Sequence, residues 1–503
     1  MSSLKLKLPG AVYFISNIYS LFTGLAFTVI VTRSLTVSEF GFWTMISQYL
    51  AYTAIPLSSI ASFWIVRYVA RGFKQAIKSG LLFGLVFSLI SLLLYLLVAF
   101  LANTYFSQPI IILVLAAPQA VTYVILGVLS SAITGFSPIH IGISSAVFET
   151  SKIILAYHFV RMLNLGLVGA IISVMMAQVI QLVYLFFILR ESIKWSVVDR
   201  SLIKKWFKLS WLPVYELFSG VVGGLDVLVA RTLFSADALI GIKNVAGVAG
   251  SFPRYASSLS LSLYPRSLRT LKNEEWQRDI EESLRFMSFI AIPISFGNIA
   301  LMDLILAIFG REYVGAYLAG IVMTMVFLIG LLNSVIDPVI RGGETIDLKD
   351  ETSLRDYLKS RLFKLITVNH LSAIVYTICV AIFLTLSTGD IYEATLYWSL
   401  ASFTGIPFMV YKIRMLRDMN VRLRPPLRNI LNYTVSSLSM FLLIYALRFT
   451  FFDNLAKNFV GLLMEITILT VVGSCLYFLL VFLIDGYARK ILAQSMTIFK
   501  SMI

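Results

Sequence analysis

Apolar runs of about twenty residues recur along almost the whole chain, separated by short polar joints. A span of the bilayer core needs about 20 such residues. Fourteen spans are predicted, at about 11–32, 39–62, 80–101, 109–133, 138–159, 165–189, 209–232, 237–262, 286–309, 314–339, 365–387, 392–411, 430–449 and 459–484. The pattern predicts an all-α, polytopic membrane protein. The first run, after the basic stretch Met1–Pro9, is too long for a signal-peptide core and is read as the first span.

The joints are not equivalent. With the N-terminus inside, 32 of the 41 Lys and Arg residues fall on the inner side, in the two termini and the joints after spans 2, 6, 8, 10 and 12. Positive-inside bias of this kind orients a multi-span protein, with both termini cytoplasmic. It also supports the span count, because losing one span would invert the sign downstream. The outer joints are all short. The inner loop Arg341–Lys364 and the tail Tyr487–Ile503 read as amphipathic surface segments.

Composition agrees. The chain is 59% hydrophobic and 13% charged, with a mean hydropathy of +0.88; soluble domains carry roughly 25% charged residues. The net charge of +15 therefore reads as loop topology, not as a nucleic-acid footprint. Two cysteines and three scattered histidines form no disulfide or metal-binding spacing. No phosphate-binding G-x-x-x-x-G-K-[ST] loop and no Ser/His/Asp constellation occurs. No catalysis and no cofactor is expected.

A short repeat divides the chain. Val31-Thr-Arg33-Ser-Leu35, ending span 1, matches Val229-Ala-Arg231-Thr-Leu233, ending span 7; Phe40-Gly41 matches Ile240-Gly241 just beyond. Two parallel six-span halves follow, residues 1–200 and 201–428, with spans 13 and 14 and the tail appended over 429–503. Carriers built from repeats bind cargo between the halves.

The segments Thr32–Trp43 (TRSLTVSEFGFW) and Phe309–Ala316 (FGREYVGA) resemble the signature loops of polysaccharide-biosynthesis, or O-antigen-type, flippases of the multidrug/oligosaccharidyl-lipid/polysaccharide (MOP) exporter superfamily. The resemblance implies a V-shaped, two-lobed carrier that flips a polyprenyl-(pyro)phosphate-linked oligosaccharide from the inner to the outer leaflet of the cell membrane. It also implies partners limited to that cargo, membrane lipids and glycan-assembly enzymes, with a monomeric carrier. A cation-coupled multidrug exporter of the same superfamily is the alternative; a membrane glycosyltransferase or polymerase is the second, disfavoured by the short outer loops.

A pyrophosphate cargo calls for cations in a wet cavity. Arg33, Arg231, Lys243 and Arg254 lie in or beside spans 1, 7 and 8 and are the candidate substrate-binding residues; snorkelling to headgroups is the competing role for Arg33 and Arg231. An Arg or Lys at mid-bilayer costs about 2.5–3.5 kcal/mol, so these side chains should face water or partners. Glu149 and Lys152, three residues apart in span 5, together with Glu216 and Asp226 in span 7, are candidate ion-coupling residues. An internal ion pair is the simpler reading of Glu149 with Lys152. Asp226 is a plausible partner for Arg231. Asp303 and Asp337 read as structural, and Glu465 as a residue near the outer end of span 14.

Overall fold

A computed structural model describes residues 16, 19–137, 139–260, 274–342, 358–419, 421, 423–451 and 458–489. The side chains of some helical residues, Glu216 among them, lie outside that description. So do most of the Arg341–Lys364 loop and most of the tail.

The described residues are helical, with no strand. The helices are α1 Tyr19–Thr32, α2 Val37–Thr53, α3 Ile55–Ala70, α4 Gln75–Phe106, α5 Ile110–Ala116, α6 Pro118–Phe136, α7 Ile139–Ala156, α8 Gly166–Lys194, α9 Arg200–Leu209, α10 Trp211–Phe234 and α11 Asp237–Gly250. They continue as α12 Glu274–Ala300, α13 Met302–Phe309, α14 Tyr317–Gly330, α15 Asn333–Gly342, α16 Arg361–Thr385, α17 Ile391–Ala401, α18 Gly405–Arg417, α19 Leu427–Phe451 and α20 Phe459–Ile484. Each predicted span falls on one or two of these, in order. Among the described residues, nine helical segments are long and apolar enough to cross a membrane, or ten if α2 and α3 count as one bent span. The remaining predicted spans are shorter, broken or richer in charge.

The breaks have causes. Between α2 and α3 the axis bends by 45°, with Pro56 in the first turn of α3, where its missing N–H costs nothing. Gly310 takes φ +154 between α13 and the 3-10 turn Arg311–Ala316. A Cβ on Gly315 would sit 2.7 Å from the Tyr392 ring. The Phe309–Ala316 motif thus marks a turn that needs glycine twice, once for conformation and once for close approach.

The chain forms two compact units, Met1–Gly241 and Ile242–Ile503. In the first, α6 packs against α3 and α4, and α7 against α8. Its core runs through Trp64, Phe83, Val128, Leu185 and Trp206. Trp206 belongs to α9, in the joint between the predicted sixth and seventh spans, and its ring meets Tyr68 and Phe83 edge-on. That seat draws α9 into the first unit. Asp199 caps α9: its Oδ1 accepts from Ser201 N at 2.8 Å, Leu202 N at 3.3 Å and the Ser201 hydroxyl at 2.6 Å. The Ser201 hydroxyl and the two amides hold the Asp199 carboxyl below its ordinary range. A depressed carboxylate stabilises the fold above its unfolded pKa and loses that contribution as pH falls through the folded value. The protection factors of the α9 amides, which remove the intrinsic pH dependence of exchange, should therefore fall on acidification in the native protein. In Asp199→Asn they should stay flat across the same range.

In the second unit, α12 packs against α19, and α19 against α20. Its core includes Leu284, Met287, Val335, Ile336, Leu365 and Leu416. Asp485, just past α20 and 5% exposed, accepts from both Asn429 Nδ2 (3.0 and 3.1 Å) and Tyr433 Oη (2.7 Å). These bonds lock one end of the α19–α20 pair.

Candidate functional site

Within the first unit, a polar seam joins α1 to α7. Tyr19 Oη lies 2.7 Å from Thr150 Oγ1, Ser20 Oγ lies 3.2 Å from Ser145 Oγ, and the Thr23 hydroxyl donates to Glu149 Oε2 at 3.1 Å. Glu149 Oε2 also takes an ion pair from Lys152 Nζ at 2.7 Å. Both side chains are nearly buried, 12% and 11% exposed. Lys152 Nζ stands 5.0 Å from each of the Phe27 and Phe148 ring centres. The three-residue spacing brings the pair together on one face, as the sequence predicts. The aromatic lining and the partnering hydroxyl of α1 were not visible from the spacing alone. Chemically, this is a carboxylate in a water-poor seam whose charge is matched by one ammonium group.

Arg231 has partners too. Its Nε lies 2.7 Å from Asp237 Oδ1, its Nη2 donates to Phe106 O at 3.1 Å, and its guanidinium sits over the Phe106 ring at 5.4 Å. The paired side chains are 12% and 17% exposed. The guanidinium therefore ties the end of α10 to the start of α11 and the end of α4. Asp226 lies more than a turn earlier on α10, half-buried, and its Oδ1 accepts from Val227 N at 2.8 Å. The acid at Arg231 is Asp237, reached across the turn between two helices. Asp226, five residues away in the same span, is a plausible partner by sequence but not at ideal helical spacing.

The repeat has a structural counterpart. A Cβ on Gly41 would strike the Asp237 carbonyl, and one on Gly241 would sit 2.6 Å from Val37 O. Matched glycines of the two copies thus meet where α2 and α11 cross, and both must lack a side chain. The Thr32–Trp43 motif supplies this crossing and, at Thr36 and Glu39, a reciprocal cap that starts α2.

Arg33, the repeat mate of Arg231, is exposed, as is Arg254 in the 3-10 segment Phe252–Ser260. Lys243 is half-buried in the second unit: Nζ lies 3.4 Å from Met323 Sδ and 5.6 Å from the centre of the Trp398 ring. Trp398 Nε1 donates to Tyr376 Oη at 3.2 Å. Glu216 lies on α10, and its side chain is outside the described residues.

Two further pairs in the second unit were not foreseen. Lys412 Nζ reaches Asp337 at 2.9 and 3.2 Å, with Asn333 Oδ1 at 3.4 Å. Lys412 reads as a loop cation in the sequence; it sits in α18, 6% exposed. Arg448 makes a bidentate pair with Asp303, with Nη1 to Oδ1 at 2.9 Å. Among the described residues no group of His, Cys, Asp and Glu is placed to hold a metal ion.

No family model matches the sequence, and no curated protein matches it. Solved structures do. A lipid II flippase MurJ in an inward closed conformation is similar over 96% of this chain and 100% of that one, at a TM-score of 0.67 and 13% identity. An inward-facing multidrug resistance MATE family transporter of the MOP superfamily is similar over 80% of this chain and 95% of that one, at 0.57 and 12%. The chain shares the fold of these two solved proteins. A MATE transporter in its straight conformation is similar over 83% of this chain and 96% of that one, at 0.54 and 12%. Ionisable groups among membrane-spanning helices face the bundle and find partners, which accounts for the paired charges.

Proposed function

We propose that this protein flips a polyprenyl-(pyro)phosphate-linked oligosaccharide from the inner to the outer leaflet of the cell membrane by alternating access between two six-helix lobes, residues 1–200 and 201–428. The observation that carries the reading is how much of the chain each solved structure matches. The flippase matches 96% of it, against 80% and 83% for the multidrug transporters. The flippase likeness thus reaches further along the chain.

The cargo has an anionic pyrophosphate, a polar glycan and an apolar tail. Arg33, Lys243 and Arg254 supply positive charge for the first. Arg231 joins them in the proposal, although its guanidinium already has work in holding α10. With both termini inside, outward movement of an anion is favoured by an inside-negative potential at about 2.3 kcal/mol per charge per 100 mV. The carrier works as a monomer beside glycan-assembly enzymes and is no enzyme itself. The second reading, a cation-coupled multidrug exporter, is favoured by the Glu149–Lys152 seam, which with Glu216 and Asp226 would hold the coupling ion.

Alanine at Arg33, Lys243 and Arg254 together separates the two. In proteoliposomes carrying a fluorescent polyprenyl-pyrophosphate sugar, protection from an external quencher should change at least tenfold more slowly than with the native protein. An unchanged rate removes these cations from the cargo path.

A further inference from the structure

The joint between α3 and α4 meets α9 at one end of the first unit. Asp199 N, just ahead of α9, donates to Ser79 Oγ at 2.7 Å. The Tyr68 ring of α3 meets both Phe73 and Trp206 edge-on. Phe207 lies against Phe83 and Phe87, with ring centres 4.9 and 5.7 Å away. Helix α9 therefore runs beside the first half of α4, from the level of Ser79 to that of Phe87.

Both segments are basic on the face they leave outside. On α9 the buried side is Trp206, with Leu202 and Ile203 half-buried beside it. Arg200 and Lys204, four residues apart and so on one face, are exposed, as is Lys205. In the joint Arg71 and Lys74 are exposed and Lys78 is half-buried. Residues 67–79 contain no acid. Residues 190–208 contain two: Glu191, 3.8 Å from Arg190, and Asp199, which caps α9. Positive charge is in excess here.

Two features favour a lipid surface over a soluble anion as the partner. Apolar rings stand open among the cations: Phe73 is 47% exposed, Phe207 51% and Trp195 75%. Hydrocarbon-facing positions also begin at once. Helix α4, long and apolar enough to span a membrane, exposes Leu82, Leu85, Val86 and Leu89. That stripe starts about 6 Å beyond Lys78, at 1.5 Å per residue. Lys and Arg at such a boundary lay their stems on apolar surface and keep their charges among the headgroups. Aromatic rings settle at the same depth. A cluster of cations at this level is complementary to anionic headgroups.

We propose that Arg71, Lys74, Arg200 and Lys204, with Phe73 and Phe207, form a binding surface for the headgroup of an anionic phospholipid. Its phosphate oxygens lie against the cations, and its acyl chains run along the exposed stripe of α4. Cations in any inner joint orient the chain by their charge alone. What α9 adds is a local preference for one class of headgroup, because it seats a second row of cations beside the first. That the lipid belongs to the inner leaflet rests on the threading with both termini inside. The preference itself does not, and it is independent of the cargo.

Native mass spectrometry of the full chain, released from detergent with added phosphatidylglycerol or phosphatidylcholine, tests this without any cargo. Each cation near an anionic surface is worth about fivefold in affinity. The first phosphatidylglycerol should therefore bind at least about tenfold more tightly than the first phosphatidylcholine. Glutamine at Arg71, Lys74, Arg200 and Lys204 together should bring the two lipids within about twofold of each other. Glutamine at Arg414, Arg417, Arg424 and Arg428, four other exposed cations of the inner joints, removes the same charge and should leave the preference in place. All eight side chains are exposed, so neither variant should unfold. Soluble glycerol 3-phosphate should not bind measurably. A native protein without the preference overturns the proposal, as does a patch variant that keeps it. Equal losses in the two variants would reduce it to diffuse attraction, and glycerol 3-phosphate binding as tightly as the lipid would assign the patch to a soluble anion; either result overturns it.

Discussion

Replacing Arg231 with alanine should cost about 3–5 kcal/mol of stability, the range for removing one partner of a buried ion pair. Asp237 would keep its negative charge at 17% exposure with its cation gone. The carbonyl of Phe106 would lose its donor, and the joint between α4, α10 and α11 would loosen together. The remedy distinguishes this mechanism from general misfolding. Arg231→Met combined with Asp237→Leu removes both charges and should recover most of the loss, because well-packed apolar replacements of a buried pair are often neutral. Thermal unfolding in detergent reads both. If Arg231→Ala melts with the native protein, the guanidinium is not a clamp, and its proposed place with the cargo cations gains weight.

The second large effect lies in the α1–α7 seam. Lys152→Met should destabilise by about 3–5 kcal/mol, because Glu149, only 12% exposed, would lose the ammonium group that pairs with it. Glu149→Gln should cost less. It removes the carboxylate charge while keeping an oxygen for the Thr23 hydroxyl, and the lysine it leaves can still lie against Phe27 and Phe148, contacts worth about 0.5–2 kcal/mol. The asymmetry between the two variants, read by the same unfolding assay, is the signature. Equal losses would mean that the ion pair matters only through packing volume.

These pairs show what sequence could and could not reveal. The alternation of apolar runs and basic joints located the helices because lipid imposes that period on any spanning chain. The repeat pointed to Gly41 and Gly241, whose meeting at a helix crossing needs both to be small. Glu149 with Lys152 was legible because three residues on a helix is one face. Arg448 with Asp303, 145 residues apart, has no local signal; only tertiary packing brings those helices together. Lys412 misled for a related reason: beside a cluster of loop cations, its burial against Asp337 depends on α15 and α18 meeting. Trp206 has no local signal either, since its seat in the core depends on α9 meeting Tyr68 and Phe83. The joint after residue 200 thus packs through Trp206 against the core around Trp64 and Phe83.

The account's central claim is the cargo, and one side-by-side measurement addresses it. Proteoliposomes of the native protein are loaded in parallel with a fluorescent polyprenyl-pyrophosphate sugar and with a fluorescent organic cation, under an imposed membrane potential. The account predicts that the lipid-linked sugar crosses between leaflets, faster when the potential favours the anion's direction, while the cation is not moved. Movement of the cation with the lipid-linked sugar left in its leaflet would contradict it.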